Sequence, residues 1–537
     1  MAANVTLADL ISPSAQDAVL HFVDEGSSST LGDLWKRGES VAQWNYVQGG
    51  VPVAMVLSNT SACVAVVIGA IRAGITLVSL PAPPRGVDPA WYTSFVRSAC
   101  RQTGASTLAV DARYLPLLPL LDDIAYVSYE DIAGVGNHGP SSAAEFSLVQ
   151  FTSGSTANPK GVVLGQDKLV ENIQAILDRL KPEPGDGACT WLPISHDMGL
   201  IGMLLVSLAA SGPNWANRVD VVMMTPEGFL RNPERWLLAC SEYGSTITSS
   251  PNFGFELAAR RRGSAPLDLS ALRVCITGAE PIRSVGLRRF ADTFDDSGFS
   301  SEAFCPAYGL AEASLAVTIM PPEKHWSSVT LDPVALAQQE VDFSSDGIEV
   351  VGCGPTLTGT EVSIDSTNSG IGEILVRGPS TLDCYSNGDA GTDAEGWLRT
   401  SDLGFCHDGL LHVVGRSDDV LFVAGRNIYA LDVEEQVAGI PGIRLGRVVV
   451  AENGEGELVV VAEPEVNAVG DRASCSQLAD TIRRKVRSRI GVAPRTVAIV
   501  PRGHLPMTSS GKTQRAVAMT ALEKGSLDVM DGSIGHE

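Results

Sequence analysis

Apolar positions run almost without a break through VPVAMVL (51–57) and TLVSL (76–80), and between them lies a helix-length apolar stretch, SACVAVVIGAIRAG (61–74). Continuous apolar strands of this kind belong to parallel sheets covered on both faces, so the segment predicts a strand–helix–strand unit. Asn59, Thr60, Ser61 and Arg72 interrupt the run, which leaves it short of the about 20 uninterrupted apolar residues a membrane span requires. Short β-branched runs recur between helical patterns at ASTLAV, AYVSY, TITSS and LRVCIT. That alternation predicts mostly parallel sheets with helices on both faces.

After about residue 345 the pattern changes. EVVGCG, EVSID, GEILVRG, GLLHVVG and VLFVAG are closely spaced strand patterns with glycine-rich turns, which predicts an antiparallel or barrel-like part. Helix and strand alternate again from about 430 to 520: LDVEEQVAGI, GRVVVAE, ELVVVAEP, the long helix CSQLADTIRRKVRSRIG and TVAIVP. The expected fold class is therefore α/β. A large N-terminal domain spans 1–415, with its barrel-like part at about 345–415. A boundary at 416–419 precedes a small α+β domain at 420–525, and 526–537 form a frayed tail.

Composition narrows the function. The 537 residues carry 39 Lys and Arg against 62 Asp and Glu, a net charge of −23. Such a balance argues against nucleic acid or an anionic membrane as main partner. A polyanionic ligand must then be held by local N–H groups and a few cations. The ten cysteines show neither a CxxC pair nor zinc spacing, and read as reduced thiols. The first residues, MAANVTLADLISPSAQDAV, lack the basic and apolar regions of a signal peptide. The expected location is cytoplasmic.

The densest chemical signal is FTSGSTANPKGVVLG (151–165). Thr152, Ser153, Gly154, Ser155 and Thr156 link two apolar strands, and Lys160 follows in a Pro-Lys-Gly closure. Gly154 lets backbone approach a ligand, the hydroxyls and N–H groups form an anion nest, and Lys160 adds a point charge. The set suits a triphosphate. Gly511–Lys512–Thr513 is not a P-loop, because Pro506 stands where that motif needs glycine.

The segment resembles the phosphate loop of adenylate-forming enzymes, the superfamily of acyl-CoA synthetases, fatty acyl-AMP ligases, adenylation domains and luciferases. In chain order WLPISHDMGLIG, GAEPI, AYGLAEASL, GEILVRGPS, RTSDLGF, GRSDDVLFVAGRNIY and LPMTSSGKTQR extend the resemblance from about residue 20 to 520. It implies a mobile small domain that carries the catalytic Lys512 and turns about a hinge at Asp418. It implies ATP and Mg²⁺ as cofactors, with Glu312 and Thr156 at the metal. Gly278, Ala279 and Glu280 would wall the adenine pocket, with Tyr308, followed by Gly309, stacking on the base. Asp402 would hold the ribose hydroxyls and Arg416 a ribose or phosphate oxygen.

WLPISHDMGLIG, SPNFGFELAARR and GRNIY are most similar to fatty acyl-AMP ligases, which puts His196 at the acyl end of the site. Asp197 stands near the position where amino-acid-activating relatives hold a substrate amine. Asp418 replaces a common lysine, and Ile428 and Ala430 replace His and Pro of that branch's GRNHYP. The reaction implied is activation of a carboxylic, expectedly fatty, acid to acyl-AMP, then transfer to the phosphopantetheine thiol of an acyl carrier protein reached in trans. Free CoA as acceptor, an amino-acid substrate and an inactive nucleotide-binding scaffold are the alternatives. IRRKVRSR (482–489) is the one basic cluster expected on the small domain.

Overall fold

A computed structural model describes residues 5–14, 17–47, 51–83, 89–118, 121–133, 145–151, 160–215, 217–366, 370–382, 384–423, 426–453, 456–465, 472–507 and 513–534. The predicted strand–helix–strand unit is present: Val53–Val56 and Thr76–Leu80 pair in parallel across the helix Ser61–Ala73. Thr60 caps that helix by accepting from the Cys63 N–H, and Gly74 closes it at φ +65°, the left-handed conformation that glycine adopts without strain. Its residues are buried almost all round, as a helix lacking a polar face must be. Gly69 permits a close helix approach, since a Cβ there would stand 2.4 Å from the Gly38 carbonyl oxygen.

Two sheets of this kind form the large domain. One has six strands, in the order Ala125–Ser128, Thr107–Val110, Val53–Val56, Thr76–Leu80, Ser147–Phe151, Gly161–Gly165. Its last pair is antiparallel, so the Ser/Gly segment 152–160 connects two neighbouring strands. The other sheet has eight strands and contains Gly187–Thr190, Ile247–Ser250, Val274–Thr277 and Phe304–Gly309 in parallel. Two side-chain amides join the sheets near their strand ends. The buried Asn59 donates to the Leu192 and Met224 carbonyls at 2.9 and 2.8 Å, and Gln150 donates to the Ser195 carbonyl at 2.8 Å. The main apolar core spans residues 7 to 411, and a second cluster, drawn from residues 54–151, covers another face of the six-stranded sheet.

The antiparallel part consists of Glu361–Asp365, Gly372–Arg377, Leu398–His407 and Leu410–Arg416, paired in sequence order. A one-turn helix Ser417–Asp419 follows. The small domain then has its own cores, drawn from residues 421–527. They pack around the sheet Ile443–Glu452, Leu458–Pro464, Thr496–Ile499, Asp531–Ile534 and the long helix Arg472–Ile490. The expectation of a frayed tail over 526–537 is corrected here: Asp531–Ile534 pairs antiparallel with Thr496–Ile499 as an edge strand. Its DGSI sequence carries little strand propensity, and the open edge of Thr496–Ile499 supplies the backbone partners instead. No helix among the described residues is long and apolar enough to cross a membrane.

Candidate active site

Open α/β sheets bind ligands at the carboxyl ends of their strands. A cavity of about 1630 Å³ lies there, between the large domain and the small one. Most of the described residues singled out from sequence line it: Lys160, His196, Gly278, Ala279, Glu280, Tyr308, Gly309, Glu312, Asp402, Arg416 and Asp418. Thr152, Ser153, Gly154, Ser155, Thr156 and Lys512 lie outside the described residues. Phe151 and Lys160 on one side, and Met507 and Thr513 on the other, line the cavity at the flanks of those segments.

The strand Val274–Thr277 runs into Gly278, where a Cβ would stand 2.7 Å from the Ala307 carbonyl oxygen, and Ala279 has φ +61°. Strain of this sort persists where the surroundings demand it, often at ligand sites. Glu280 accepts from the Phe253 N–H at 2.6 Å, fastening this wall to the first turn of the helix Asn252–Arg260.

Tyr308 is buried, and its hydroxyl donates to Asp402 Oδ2 at 2.7 Å. Burial and the neighbouring carboxylate push the phenol well above its ordinary range, so it stays a hydrogen-bond donor at neutral pH. A bulge in Leu398–His407 and φ +60° at Ser401 set the place of Asp402. Arg416 stands directly across the ladder, 3.6 Å from the other Asp402 oxygen. Its second reach is weak, 4.0 Å to the largely exposed Asp418.

Glu312 occupies a single turn, Ala311–Ala313, closed by Ser314 at φ +65°. Burial raises its pKa, and the Tyr385 hydroxyl, donating at 3.2 Å, offsets only part of this. Lys160 lies over the Tyr385 ring at 5.2 Å and pairs with Asp389 at 2.8 Å. Ser386 braces the same strand by accepting from the Gly161 N–H at 3.1 Å. Tyr385 therefore links the carboxylate and the cation, yet sequence analysis missed it. YSNGDAG carries only a turn signal, and its partners lie far away in the chain.

His196 and Asp197 act as a pair, Nδ1 to Oδ1 at 2.6 Å. The same Asp197 oxygen accepts from the Met198 N–H at 2.7 Å and caps Met198–Leu205, a π-helix. Such wide turns frequently accompany functional sites.

Arg515, just past Lys512 in sequence, turns back to the boundary segment. It binds Asp419 and sits 3.0 Å from the buried Glu434. Burial opposes its charge, but the two carboxylates outweigh that and raise its pKa. Asp419, and not Asp418, is the boundary residue tied to the small domain. The expectation of a single basic cluster at IRRKVRSR also needs correction. Arg444 and Arg447, neighbours on the strand Ile443–Glu452, line the cavity together with Arg502, which a distant segment brings to them.

Among the described residues no group of three His, Cys, Asp or Glu could hold a metal alone. Magnesium does not require one, since it is commonly held by one or two carboxylates plus substrate phosphates. A half-buried carboxylate on the cavity wall with a raised pKa, as at Glu312, fits a site that a divalent cation completes.

Two α/β sheets, a strand-end cavity and a small domain that supplies part of its wall define a two-domain ligase of the adenylate-forming class. The chain belongs to the family of AMP-binding enzymes, which matches residues 13–386. It is similar to a 4-hydroxyphenylalkanoate adenylyltransferase of Mycobacterium tuberculosis, at 29% identity over 96% of this chain and 91% of that one. It is also similar to a medium-chain-fatty-acid–[acyl-carrier-protein] ligase of Moorena producens, at 33% identity over 72% and 69%. A solved structure from work on fatty acyl-adenylate ligases of E. coli and L. pneumophila superposes with a TM-score of 0.86 at 27% identity, covering 97% and 98%. The protein is an enzyme that adenylates an acyl or aryl acid.

Proposed function

We propose that this enzyme uses MgATP to convert a fatty acid to acyl-AMP and then passes the acyl group to the phosphopantetheine thiol of a separate acyl carrier protein. The observation that carries the reading is the convergence of Lys160, Glu312, Tyr308, Asp402 and the flanks of Lys512 on one cavity. A carboxylate is a poor electrophile. Its attack on the α-phosphorus expels pyrophosphate and leaves a carbonyl bearing AMP, a good leaving group. A thiol then adds to that carbonyl, AMP departs, and the thiol proton goes to solvent.

Each residue has a task in this scheme. Asp402, oriented by Tyr308, holds ribose hydroxyls, and the 278–280 wall takes adenine. Lys160 and the Ser/Gly segment hold the β- and γ-phosphates. Lys512 neutralises charge that develops between the carboxylate and the α-phosphate. Glu312 would hold Mg²⁺, which supplies further charge neutralisation at the phosphates. His196, held by Asp197, borders the acyl end. Similarity to the Moorena medium-chain-fatty-acid–[acyl-carrier-protein] ligase supports the carrier-protein acceptor.

The test is pyrophosphate release across a panel of carboxylic acids, then mass spectrometry with a holo carrier protein and free CoA as competing acceptors. Acyl-carrier product from a fatty acid is expected. Efficient acyl-CoA formation with no acyl-carrier product would make this an acyl-CoA synthetase.

A further inference from the structure

The strand Ile443–Glu452 loses its register with Leu458–Pro464 between Ile443 and Val448, and Gly446 in the gap has φ +65°. Irregularities of this kind re-aim side chains, often beside active sites. Arg444 and Arg447 lie in the gap and, with Arg502, line the small-domain wall of the cavity.

The carboxylate that faces these cations is Glu463. Arg444 pairs with Glu463 at 2.7 Å. Glu463 is fully buried, and its other oxygen accepts the Gly503 and Leu505 N–H groups, each at 2.9 Å. Arg447 is half-buried and has no carboxylate partner among the described residues. Burial and the neighbouring Arg444 lower its pKa, Glu463 offsets part of this, and Arg502 adds a further repulsion. Arg444 and Arg447 are half-buried and Arg502 is exposed, and like charges gathered on one partly desolvated wall repel unless a counter-charge joins them.

The wider setting favours an anion. Among the described residues, eleven of the chain's 39 Lys and Arg line the cavity, against ten of its 62 Asp and Glu. The acidic excess of the molecule is cancelled there. Guanidinium forks match phosphate oxygens in bidentate geometry, and a cavity wall admits a small anion more readily than the face of a protein.

We propose that Arg444, Arg447 and Arg502 form a phosphate-binding subsite on the small domain, separate from the Ser/Gly segment. Two sources present that chemistry within the proposed reaction: the pyrophosphate portion of the nucleotide, and the phosphodiester of the phosphopantetheine arm. The second source rests on the thiol-acceptor reading given above; the first does not.

Calorimetric titration of the wild-type enzyme and an Arg447→Gln/Arg502→Gln variant with inorganic pyrophosphate, 4′-phosphopantetheine and pantetheine tests the subsite. Neither substitution strips a carboxylate of its partner, so the fold is retained, and circular dichroism checks this. The expected result is a loss of affinity of about tenfold or more for one phosphorylated probe, with unphosphorylated pantetheine unaffected. Loss on pyrophosphate identifies the nucleotide, and loss on 4′-phosphopantetheine identifies the arm. A smaller loss on both phosphorylated probes, no wild-type binding of either, or an equal loss on pantetheine overturns the subsite. A wild-type enzyme that acylates no thiol at all would defeat the acceptor reading and leave the pyrophosphate titration decisive.

Discussion

Glu312 is the carboxylate whose environment does most to set its chemistry. Its folded pKa is raised by burial, so the folded state holds its proton more tightly than the unfolded chain, where a glutamate titrates near about 4.3. Stability contributed by the neutral form is present below that value and is lost as pH rises through the folded pKa. Glu312→Gln should therefore raise the Tm of the ligand-free enzyme at neutral pH, with the gain vanishing in acid. The same change should weaken Mg²⁺-dependent turnover. Differential scanning fluorimetry against pH and a Mg²⁺ titration check the two parts, and equal Tm values at pH 7 would count against the burial argument. Lys512→Ala should lower acyl-adenylate formation by about a hundredfold or more, the scale of losing one electrostatic contact to a transition state. Hydroxamate trapping of the adenylate reads this directly, and near wild-type rates would remove Lys512 from the chemistry.

The contact between Arg515, Asp419 and Glu434 ties the helix Arg515–Glu523 to both the boundary turn and the helix Ala430–Ala438. Glu434 is buried, its pKa is raised by that burial, and one oxygen also accepts the Val450 N–H at 3.0 Å. Removing Arg515 would leave a buried carboxylate without its cation. Arg515→Gln should cost about 3–5 kcal/mol, typical for stripping one partner from a buried pair. Glu434→Gln in the same chain should recover part of that cost, because the charge needing compensation is gone. Urea unfolding of the single and double variants measures the coupling. Additive losses would mean that the two side chains stabilise the domain independently.

The apolar cores divide the molecule into two parts. Two clusters gather residues 7–411 and 54–151 in the large domain, while separate clusters gather 421–527. Among the described residues only the smaller cluster around Leu331, Phe405 and Tyr429 spans the boundary. Unfolding of the free enzyme should accordingly depart from a single transition. A non-hydrolysable acyl-adenylate analogue, held by walls from both domains, should raise and merge the transitions, because a ligand that binds only the closed form stabilises it by mass action. Scanning calorimetry with and without the analogue is the measurement, and one unchanged transition in both conditions would contradict the division.

Periodicity alone carried the α/β architecture. Continuous apolar runs at 53–56 and 76–80 can only be strands covered on both faces, and the close-spaced strands after 345 pair with their sequence neighbours, so local pattern and topology agree there. Residues of the cavity wall were legible where a sequence segment is dense in candidate chemistry, as at Tyr308 and Glu312 in 307–315 and Asp402 in 399–405. What only the tertiary structure decided are contacts between distant segments. Tyr385 bridges Glu312 and Lys160, Asp419 receives Arg515, and Arg502 meets Arg444 and Arg447 on one wall. Each depends on where a bulge, a turn or a sheet edge directs a side chain. A residue's own neighbours in sequence record its local propensity, but not which distant charge the folded chain will set beside it.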